Sequence, residues 1–446
     1  MTFHLRAAEF VEAEFDDPEN CATTAELTIT ADGQVLTEHR DDLAQSVRTS
    51  IRVALYPLAH WFASAYWRLC YEPLPMQIPP ATDWRLTHEL AAAGEGYLWP
   101  PVIFGTDGEH MHVWASPSRA GPRRAVQYFS SVYQLVPIAS FQRELHRFID
   151  LVVNRLDAVK LRGTHLESLW KELRKEIADD QVAPYRIAEA RLGYDPDAAA
   201  EDLVSGFLAR ANSVGSAALN ELAPVCDRTD PVATLDRLDQ WIHDKGVRGQ
   251  FKVHRPQRNV NTVMSPVPAK RGQQLAREVR RQLGIDSAPI SNDDLAGCLG
   301  LTRHQAYEHV EFSAPFSLGI REDDNIAIYG FQRRSTTGRR FEIGRFIGDH
   351  ISSDPSDFWT PVTKARTARQ KLQRGFAAEL LVPADDLAAW IGKDFSDESI
   401  DRAIERYGAD EEVIKWQLVN NDIAPASQFG YDLYNLPYQP PLARAV

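Results

Sequence analysis

The chain has 446 residues and a formal net charge of −13 at pH 7, with 44% hydrophobic and 25% charged residues. This composition excludes an intrinsically disordered chain, and the length allows two or three domains. No apolar run approaches the roughly 18 residues of a membrane-spanning helix, and the acidic N-terminus has no signal-peptide core. We therefore expect a cytoplasmic protein without a membrane segment.

Two turn signals predict β-hairpins within the first 160 residues. The stretch "AELTITADGQVLTEH" has its turn at Asp32-Gly33, and "VIFGTDGEHMHVWA" has its turn at Asp107-Gly108. Residues 42–72, between the hairpins, show helical spacing, and Pro57 inside this segment predicts a kink or a break. Residues 1–160 are therefore predicted to form an α+β domain.

Amphipathic helices are predicted from residue 161 to residue 248, with Asp197 and Asp230 as start signals. The next stretch, "FKVHRPQRNVNTVMSPVPAKRG", contains three prolines and no hydrophobic periodicity, so we place a linker at residues 249–267. Most tryptophans precede this linker, and they fit a filled core better than an open cleft. His110 and His112 alternate on a predicted strand like a two-histidine metal site, but no third ligand can be assigned.

Neither the cysteine spacing nor the local charge indicates a specific binding or catalytic site. The four cysteines are scattered without a CxxC spacing, which argues against a disulfide framework and a thiolate zinc site: Cys21, Cys70, Cys226 and Cys298. The segment from Lys252 to Arg281 is basic, with Glu278 as its only acid. It contains no interleaved aromatic residues, so a solvated linker and helix face explain it better than a nucleic-acid contact.

The elements after the linker follow a defined order. A helix over "AKRGQQLAREVRRQLGI" precedes a short helix capped by Ser291 and a hairpin in "FSLGIREDDNIAIYGF". Two further helices are predicted over "RRFEIGRFIGDHIS" and over "TKARTARQKLQRGFAAELLVP", which ends at Pro383. A terminal pair of helices follows, and residues 425–446 are predicted to be a C-terminal tail.

Three features of this half carry a resemblance: Arg340-Phe341, Gly348, and the run "FAAELLVP" from Phe376 to Pro383. With the element order, they resemble the ImmA/IrrE family of bacterial metallopeptidases. The first core helix of that family reads R-F-x-x-A-H-E-x-G-H, and the second carries E-x-x-A-x-x-F-A-A-x-L-L-M-P. The resemblance covers about residues 268–424 and implies a zincin-like, mostly helical domain with a small β-hairpin.

The resemblance also implies that the zinc site is degenerate. In an H-E-x-x-H helix two histidines one turn apart bind one zinc, and the glutamate activates its water. On the family pattern the two histidines fall at Arg345 and Asp349, the general base at Phe346, and the third ligand at Gln370. Arginine does not ligate a cation and phenylalanine cannot accept a proton. We therefore predict neither metal nor cofactor, and favour a protein that is not an enzyme.

Arg345 and Asp349, one helical turn apart, predict an ion pair in the space of the lost zinc, with Gln370 hydrogen-bonded to one of them. The alternative is that these side chains are solvated in a vacated cleft. Glu342 and His350 are further candidates for ligand contacts in that cleft, and a shifted metal site using them is less favoured because His350 lies about 100° around the helix from Asp349.

Three functions stay open. The first is an inactive pseudo-peptidase that binds a protein partner; the resemblance implies a bacterial stress, toxin–antitoxin or phage-defence setting, with a helix-turn-helix regulator or a neighbouring-gene product as partner. The second is a hydrolase in the N-terminal half that uses histidines: His88, His110, His112 and His165. The third is a nucleic-acid-binding regulator, which the acidic charge disfavours and which would use arginines: Arg333, Arg334, Arg339 and Arg340.

Overall fold

The computed structural model describes residues 1–431 except residues 12, 16, 78, 119–124, 256–262, 286, 288, 309–313 and 324. The chain divides into two compact units, unit 1 from Met1 to Val204 and unit 2 beginning at Ser205. Both units combine helices with antiparallel sheets, so the predicted α+β class is confirmed. Within the described ranges, no helix is long and apolar enough to cross a membrane.

The strands of unit 1 form three antiparallel sheets: β1 Phe3–Phe10, β2 Thr24–Ala31, β3 Gln34–Val35, β4 His39–Asp41, β5 Ser46–Arg48, β6 Ile51–Ala54, β7 Val102–Thr106, β8 His110–Ala115, β9 Val126–Tyr128 and β10 Val132–Pro137. Strand β2 pairs with β1, β3 and β6, β8 lies between β7 and β10, and β4 lies between β5 and β9. Its helices are α1 Pro18–Ala22, α2 Tyr56–Tyr71, α3 Thr82–His88, α4 Ile138–Ala158, α5 His165–Ala178 and α6 Val182–Arg191.

Both hairpins predicted in unit 1 are present. Asp32 and Gly33 join β2 to β3 with φ values of 47° and 81°, the positive values that a tight hairpin turn requires. Gly108 has a φ of 96° in the turn between β7 and β8. There the Asp107 carboxylate accepts the His110 N–H at 2.8 Å, which ties the turn to the start of β8.

The helix predicted over residues 42–72 is wrong in its first half. Residues 46–48 and 51–54 form β5 and β6, and α2 begins only at Tyr56 with Pro57 in its first turn. Proline suits the first turn of a helix because no intrahelical partner is lost there, but it cannot continue a helix from upstream. The predicted break at Pro57 is therefore confirmed.

Aromatic side chains fill the core of unit 1. Phe62, Phe104, Phe141 and Phe148 are fully buried, and Phe62 meets Phe148 edge-on at 6.1 Å. Most tryptophans that precede the predicted linker are buried as well: Trp61, Trp67, Trp84, Trp99, Trp114 and Trp170. Their assignment to a core rather than to an open cleft is confirmed for these six residues.

Unit 2 is mostly helical around one four-stranded sheet. Helix α7, Glu201–Ala209, contains the boundary between the units. The other helices are α8 Ala211–Val214, α9 Ser216–Leu222, α10 Pro231–Lys245, α11 Pro268–Leu283, α12 Asn292–Cys298, α13 Arg303–Tyr307, α14 Thr336–Ser352, α15 Ala368–Leu381, α16 Ala384–Ile391, α17 Asp397–Tyr407 and α18 Glu411–Asn420. The strands are β11 Val247–Gln250, β12 Ser317–Arg321, β13 Ile326–Gly330 and β14 Trp359–Val362.

The sheet of unit 2 is larger than the predicted hairpin. The hairpin β12–β13 is present, and β11 and β14 extend it to the antiparallel order β11-β13-β12-β14. Both additional strands are four residues long, so each is too short to show a clear alternation. Strand β14 immediately precedes α15 in the chain, and it therefore places backbone groups beside the predicted site.

The compact units do not divide at the predicted linker. Helices α9 and α10, which we assigned to a separate helical region at residues 161–248, belong to unit 2. Helix α10 packs on β12 and β13, and α9 packs on β14. Residues 256–262 of the predicted linker and residues 432–446 of the predicted tail lie outside the described residues.

Candidate functional site

Two helices, α14 and α15, carry the four positions at which the family pattern has its zinc site. Ser335 caps α14 by accepting the Gly338 N–H, and Thr367 caps α15 by accepting the Gln370 N–H. The Thr367 cap places Gln370 in the first turn of α15, where its side chain reaches α14 and β14. Both helices are therefore present as predicted.

Two glycines of α14 allow it to approach α15 closely. A Cβ atom on Gly344 would lie 3.0 Å from the Ala377 Cβ atom, and a Cβ atom on Gly348 would lie 2.8 Å from the Phe376 ring. Larger residues at these positions would force the helices apart. Glycine lowers helix propensity, so close packing rather than local preference explains the two glycines in this helix.

Arg345, at the position of the first family histidine, lies 8% exposed among neutral acceptors. Its Nη2 atom donates to the backbone oxygen of Thr363 at 2.8 Å, to the side-chain oxygen of Gln373 at 3.1 Å, and to that of Gln370. The sequence left open whether Gln370 bonds Arg345 or Asp349, and the structure shows the bond with Arg345. Burial lowers the pKa of Arg345, and the nearby Arg374 charge lowers it further.

The predicted ion pair between Arg345 and Asp349 is wrong, because Asp349 is held by a different arginine. Both Asp349 carboxylate oxygens accept from the Arg369 guanidinium at 2.7 Å, and Gln373 donates to the same carboxylate at 2.8 Å. Burial by itself would raise the pKa of Asp349, but the Arg369 charge and these hydrogen bonds bring the pKa below its usual value. Asp349 is thus buried as a paired carboxylate.

The Arg369 guanidinium extends this network to the rest of unit 2. It donates to Asp357 at 3.0 Å, and the other Asp357 oxygen accepts the N–H groups of Ala217 and Ala218 at 3.2 Å, in the first turn of α9. A carboxylate is favourable at a helix N-terminus, so Asp357 satisfies α9 and Arg369 together. A polar network around Asp349 and Arg369 therefore joins α9, α14 and α15.

Phe346, at the position of the family general base, faces away from this network. Its ring meets Tyr329 at 5.3 Å and Phe331 at 5.6 Å, both edge-on, and only 1% of the residue is exposed. Helical geometry explains this placement, because successive residues on a helix point about 100° apart. Phe346 consequently belongs to the core between α14 and the sheet.

Glu342 and His350 do not share a cleft. Glu342 accepts the Ser317 hydroxyl at 2.5 Å and the Arg333 N–H at 2.9 Å, and burial raises its pKa. His350 stacks on Phe251 with ring centroids 3.6 Å apart, and burial followed by the Arg321 charge lowers its pKa to about 3. The two side chains line different cavities, so a shifted metal site that contains both is wrong.

Half of the proposed nucleic-acid patch is buried, which contradicts its role in phosphate contact. Arg339 donates to the backbone oxygens of Ala306 and Arg333 at 2.7 Å. Arg340 donates to the Ile290 oxygen at 2.7 Å. Only 4–5% of each residue is exposed, whereas Arg333 and Arg334 are exposed. Arginines that satisfy backbone carbonyls in this way are structural.

The four histidines considered for an N-terminal hydrolase do not all meet in one site, although His110 and His112 both lie against the Asp107 carboxylate, at 3.8 Å and 3.0 Å. His88 contacts Glu72 at 3.2 Å and stacks on Trp84, and His165 contacts His60 at 2.8 Å. His112 lies between Asp107 at 3.0 Å and the Tyr133 hydroxyl at 2.8 Å. Burial raises the pKa of Tyr133 well above its usual value, so its hydroxyl is a poor nucleophile.

A cavity of about 830 Å³ opens beside Arg345 in unit 2. Its lining combines apolar, cationic and acidic side chains, including Phe316, Phe341, Arg345, Arg374, Glu342 and Trp416. This volume lies within the range of small-molecule sites, roughly 300–1,000 Å³. Of the buried network, Arg345 and Thr363 line this cavity, whereas Asp349 and Gln370 do not.

Four further residues take part in this network without having been predicted from the sequence: Arg369, Gln373, Asp357 and Glu221. Gln373 lies three residues after Gln370 and so shares its helix face, a signal that could have identified it. Glu221 is buried, accepts the Thr367 hydroxyl, and has its pKa raised by burial. It lies 146 residues before Thr367, and no local pattern connects such distant residues.

Among the described residues, no three His, Cys, Asp or Glu side chains are placed to hold a metal ion together. No protein-family model matches the sequence, and comparisons with curated proteins and with solved structures found no match. The ImmA/IrrE resemblance therefore stays a prediction from the motifs quoted above.

Proposed function

We propose that unit 2 is a zincin-like domain that has lost peptidase chemistry and binds a protein partner in a cytoplasmic regulatory role. One observation supports this most strongly: Asp349, the only carboxylate at the four matched positions, is bound bidentately by Arg369 at 2.7 Å. A carboxylate paired in this way is not free to ligate zinc. The family resemblance supplies the regulatory setting and the kind of partner, as for a repressor or a neighbouring-gene product.

Zinc analysis of the purified wild-type protein tests the loss of the metal. We expect far less than one zinc per chain, with no change in the Asp349→Asn variant. Stoichiometric zinc that disappears in Asp349→Asn or His350→Gln would overturn the proposal, because the site would then hold a metal through the residues assigned here to structure.

Restoring the ligands tests the zincin-like arrangement itself. Arg345 reaches Gln370 across the helix pair, so Arg345→His, Asp349→His and Gln370→Glu bring three ligands to one place. Arg369→Met in the same variant removes the charge that would repel the ion. We expect this quadruple variant to bind one zinc per chain and the single variant Arg345→His to bind none. A folded quadruple variant without zinc would contradict the resemblance.

A further inference from the structure

The cavity beside Arg345 contains a buried cation without an anionic partner. All three hydrogen-bond acceptors of Arg345 are neutral, and the described residues place no carboxylate in an ion pair with it. Its Nε atom is buried and has no partner in the part of the chain that the structure describes. An unpaired buried charge is unfavourable, and an anion from outside the chain would relieve that penalty.

A second arginine of the same cavity, Arg374, also donates to a neutral acceptor. Among the described residues, the hydrogen-bond acceptor of Arg374 is the backbone oxygen of Ala365, at 3.1 Å from both terminal nitrogens. Burial lowers its pKa, as it does for Arg345. The exposed side chains of Arg333 and Lys364 add positive charge to the lining. Low-dielectric walls strengthen the attraction of such a cluster for an anion.

The acidic side chains of the cavity already have partners of their own. Asp410 accepts the Thr337 hydroxyl, Glu411 pairs with Lys415 at 2.5 Å, and Glu412 accepts the Trp416 indole N–H at 3.1 Å. Glu342 is occupied by Ser317 and the Arg333 backbone. Neutral donors leave the carboxylate charges in place, and Glu342 also attracts Arg345. The lining nevertheless has more cationic than acidic side chains, five against these four: Arg333, Arg345, Lys364, Lys371 and Arg374. In the described part of the chain the buried Nε of Arg345 has no hydrogen-bond partner, so it can still donate to a ligand.

The rest of the lining suits an apolar body attached to the anion. Phe316, Phe341 and Trp416 present aromatic surface, and Trp416 is 36% exposed. We propose that this cavity is an anion-binding pocket in which Arg345 and Arg374 receive a carboxylate or phosphate group carried on an aromatic or apolar body. The charge lies on the arginines and the body lies against the aromatic residues.

Both a peptide C-terminus and a phosphate monoester have this chemistry, and two probes distinguish them. N-Acetylphenylalanine represents the carboxylate source, phenyl phosphate represents the phosphate source, and N-acetylphenylalanine amide is the matched neutral control. Calorimetric titration of the full-length protein is expected to show binding of at least one anion, weakened by added salt, and no binding of the amide. The anion that binds more tightly identifies the source.

Variants connect that binding to the named residues. Arg345→Met is expected to weaken binding by roughly 10- to 100-fold, because a charge-assisted hydrogen bond is lost. Arg374→Gln is expected to weaken it by about 10-fold, and the exposed Lys364→Gln, which is not expected to affect folding, by about 2- to 5-fold. Arg303→Gln is the matched control, since Arg303 is an exposed arginine of the same unit outside the cavity.

Three results would overturn the inference: neither anion binds, the neutral amide binds as tightly as the acid, or binding is unchanged in Arg345→Met and Lys364→Gln. The inference rests on the proposed function only in treating this region of unit 2 as a place that binds rather than cuts. Zinc uptake by the quadruple variant tests that function without any anion, so failure of one proposal is distinguishable from failure of the other.

Discussion

Arg369 and Asp349 form a bidentate ion pair between α15 and α14. The carboxylate is fully buried, the guanidinium side chain is 13% exposed, and both oxygens are bound at 2.7 Å. A buried ion pair of this kind adds little stability relative to apolar residues of similar volume. Removal of one partner is nevertheless costly, because the other charge stays buried with less compensation. The energetic importance of Asp349 is therefore conditional on Arg369.

Asp349→Ala is expected to lower the free energy of unfolding by about 3 kcal/mol, because the buried Arg369 guanidinium loses its bidentate carboxylate and retains the Asp357 carboxylate at 3.0 Å. The double variant Asp349→Leu/Arg369→Met is expected to recover part of this loss, since Asp357 loses Arg369 but keeps the N–H groups of Ala217 and Ala218. Chemical denaturation measures both. The matched control is Asp157→Ala, which removes the exposed pair with Arg162 and is expected to change nothing measurable. A double variant no more stable than Asp349→Ala would contradict the argument.

His350 gives unit 2 a defined pH dependence. Its pKa is lowered to about 3 by burial and then by the Arg321 and Arg255 charges, so the folded state keeps it neutral at pH 5 while the unfolded state protonates it below about pH 6.5. Its contribution to stability therefore falls with acidification below pH 6.5. Between pH 8 and pH 5 wild type is expected to lose about 1–2 kcal/mol more than His350→Phe.

Denaturation at the two pH values measures that difference between wild type and His350→Phe. Asp349 affects stability at more acidic pH, because its pKa is lowered in the folded state. Its contribution to folding stability is present above about pH 4 and is lost as the pH falls through the folded-state pKa. The two effects are therefore separable. Identical pH dependence of wild type and His350→Phe above pH 5 would show that His350 is not held neutral.

At the scale of elements, the site depends on how closely α14 and α15 approach. Gly344 and Gly348 remove side chains from the contact surface, and this brings Arg345 within reach of Gln370 and Gln373. The same approach lets Asp349 meet Arg369. The polar network therefore requires close helix pairing, since each hydrogen bond across the pair needs a short interhelical distance.

Gly348→Val is expected to lower the free energy of unfolding by about 1–3 kcal/mol, because its Cβ would lie 2.8 Å from the Phe376 ring. Gly297→Ala is the control, since Gly297 is also helical but a Cβ there meets nothing within 4 Å. That control is expected to be neutral or stabilising through helix propensity. Equal effects of the two substitutions in urea denaturation would contradict close packing at Gly348.

At the scale of the whole molecule, unit 2 includes helices that precede the predicted linker, among them α9 and α10. Helix α9 supplies Glu221 and the N–H groups bound by Asp357, and α10 covers one side of the sheet at β12 and β13. Without these helices, the Thr367 hydroxyl and the Asp357 carboxylate lose partners and the sheet exposes apolar surface. The position of the unit boundary therefore predicts which truncated fragments of the chain can fold.

A fragment of residues 249–446 is expected to unfold or aggregate, whereas residues 198–446 are expected to fold. The reason is that the shorter fragment lacks α9 and α10, and exposed apolar sheet surface favours aggregation. Far-UV circular dichroism and cooperative urea unfolding distinguish the two outcomes. A cooperatively folded 249–446 fragment would instead support the linker that the sequence predicts at residues 249–267.

The sequence by itself determined features that depend on neighbouring residues. Asp-Gly turns specified the hairpins of unit 1, Pro57 specified where α2 begins, and Ser291 specified the start of α12, because turn conformations, proline geometry and caps are local. Hydrophobic periodicity and proline likewise indicated α14 and α15.

Only the tertiary structure decided which charges meet. Arg369, rather than Arg345, holds Asp349, and Arg339 and Arg340 satisfy backbone carbonyls instead of forming a basic surface. Helical spacing states which residues share a face of one helix, but the partner across a helix pair depends on the relative rotation and separation of both helices. Short β14 likewise gains its identity from pairing with β12, a contact that no local pattern contains.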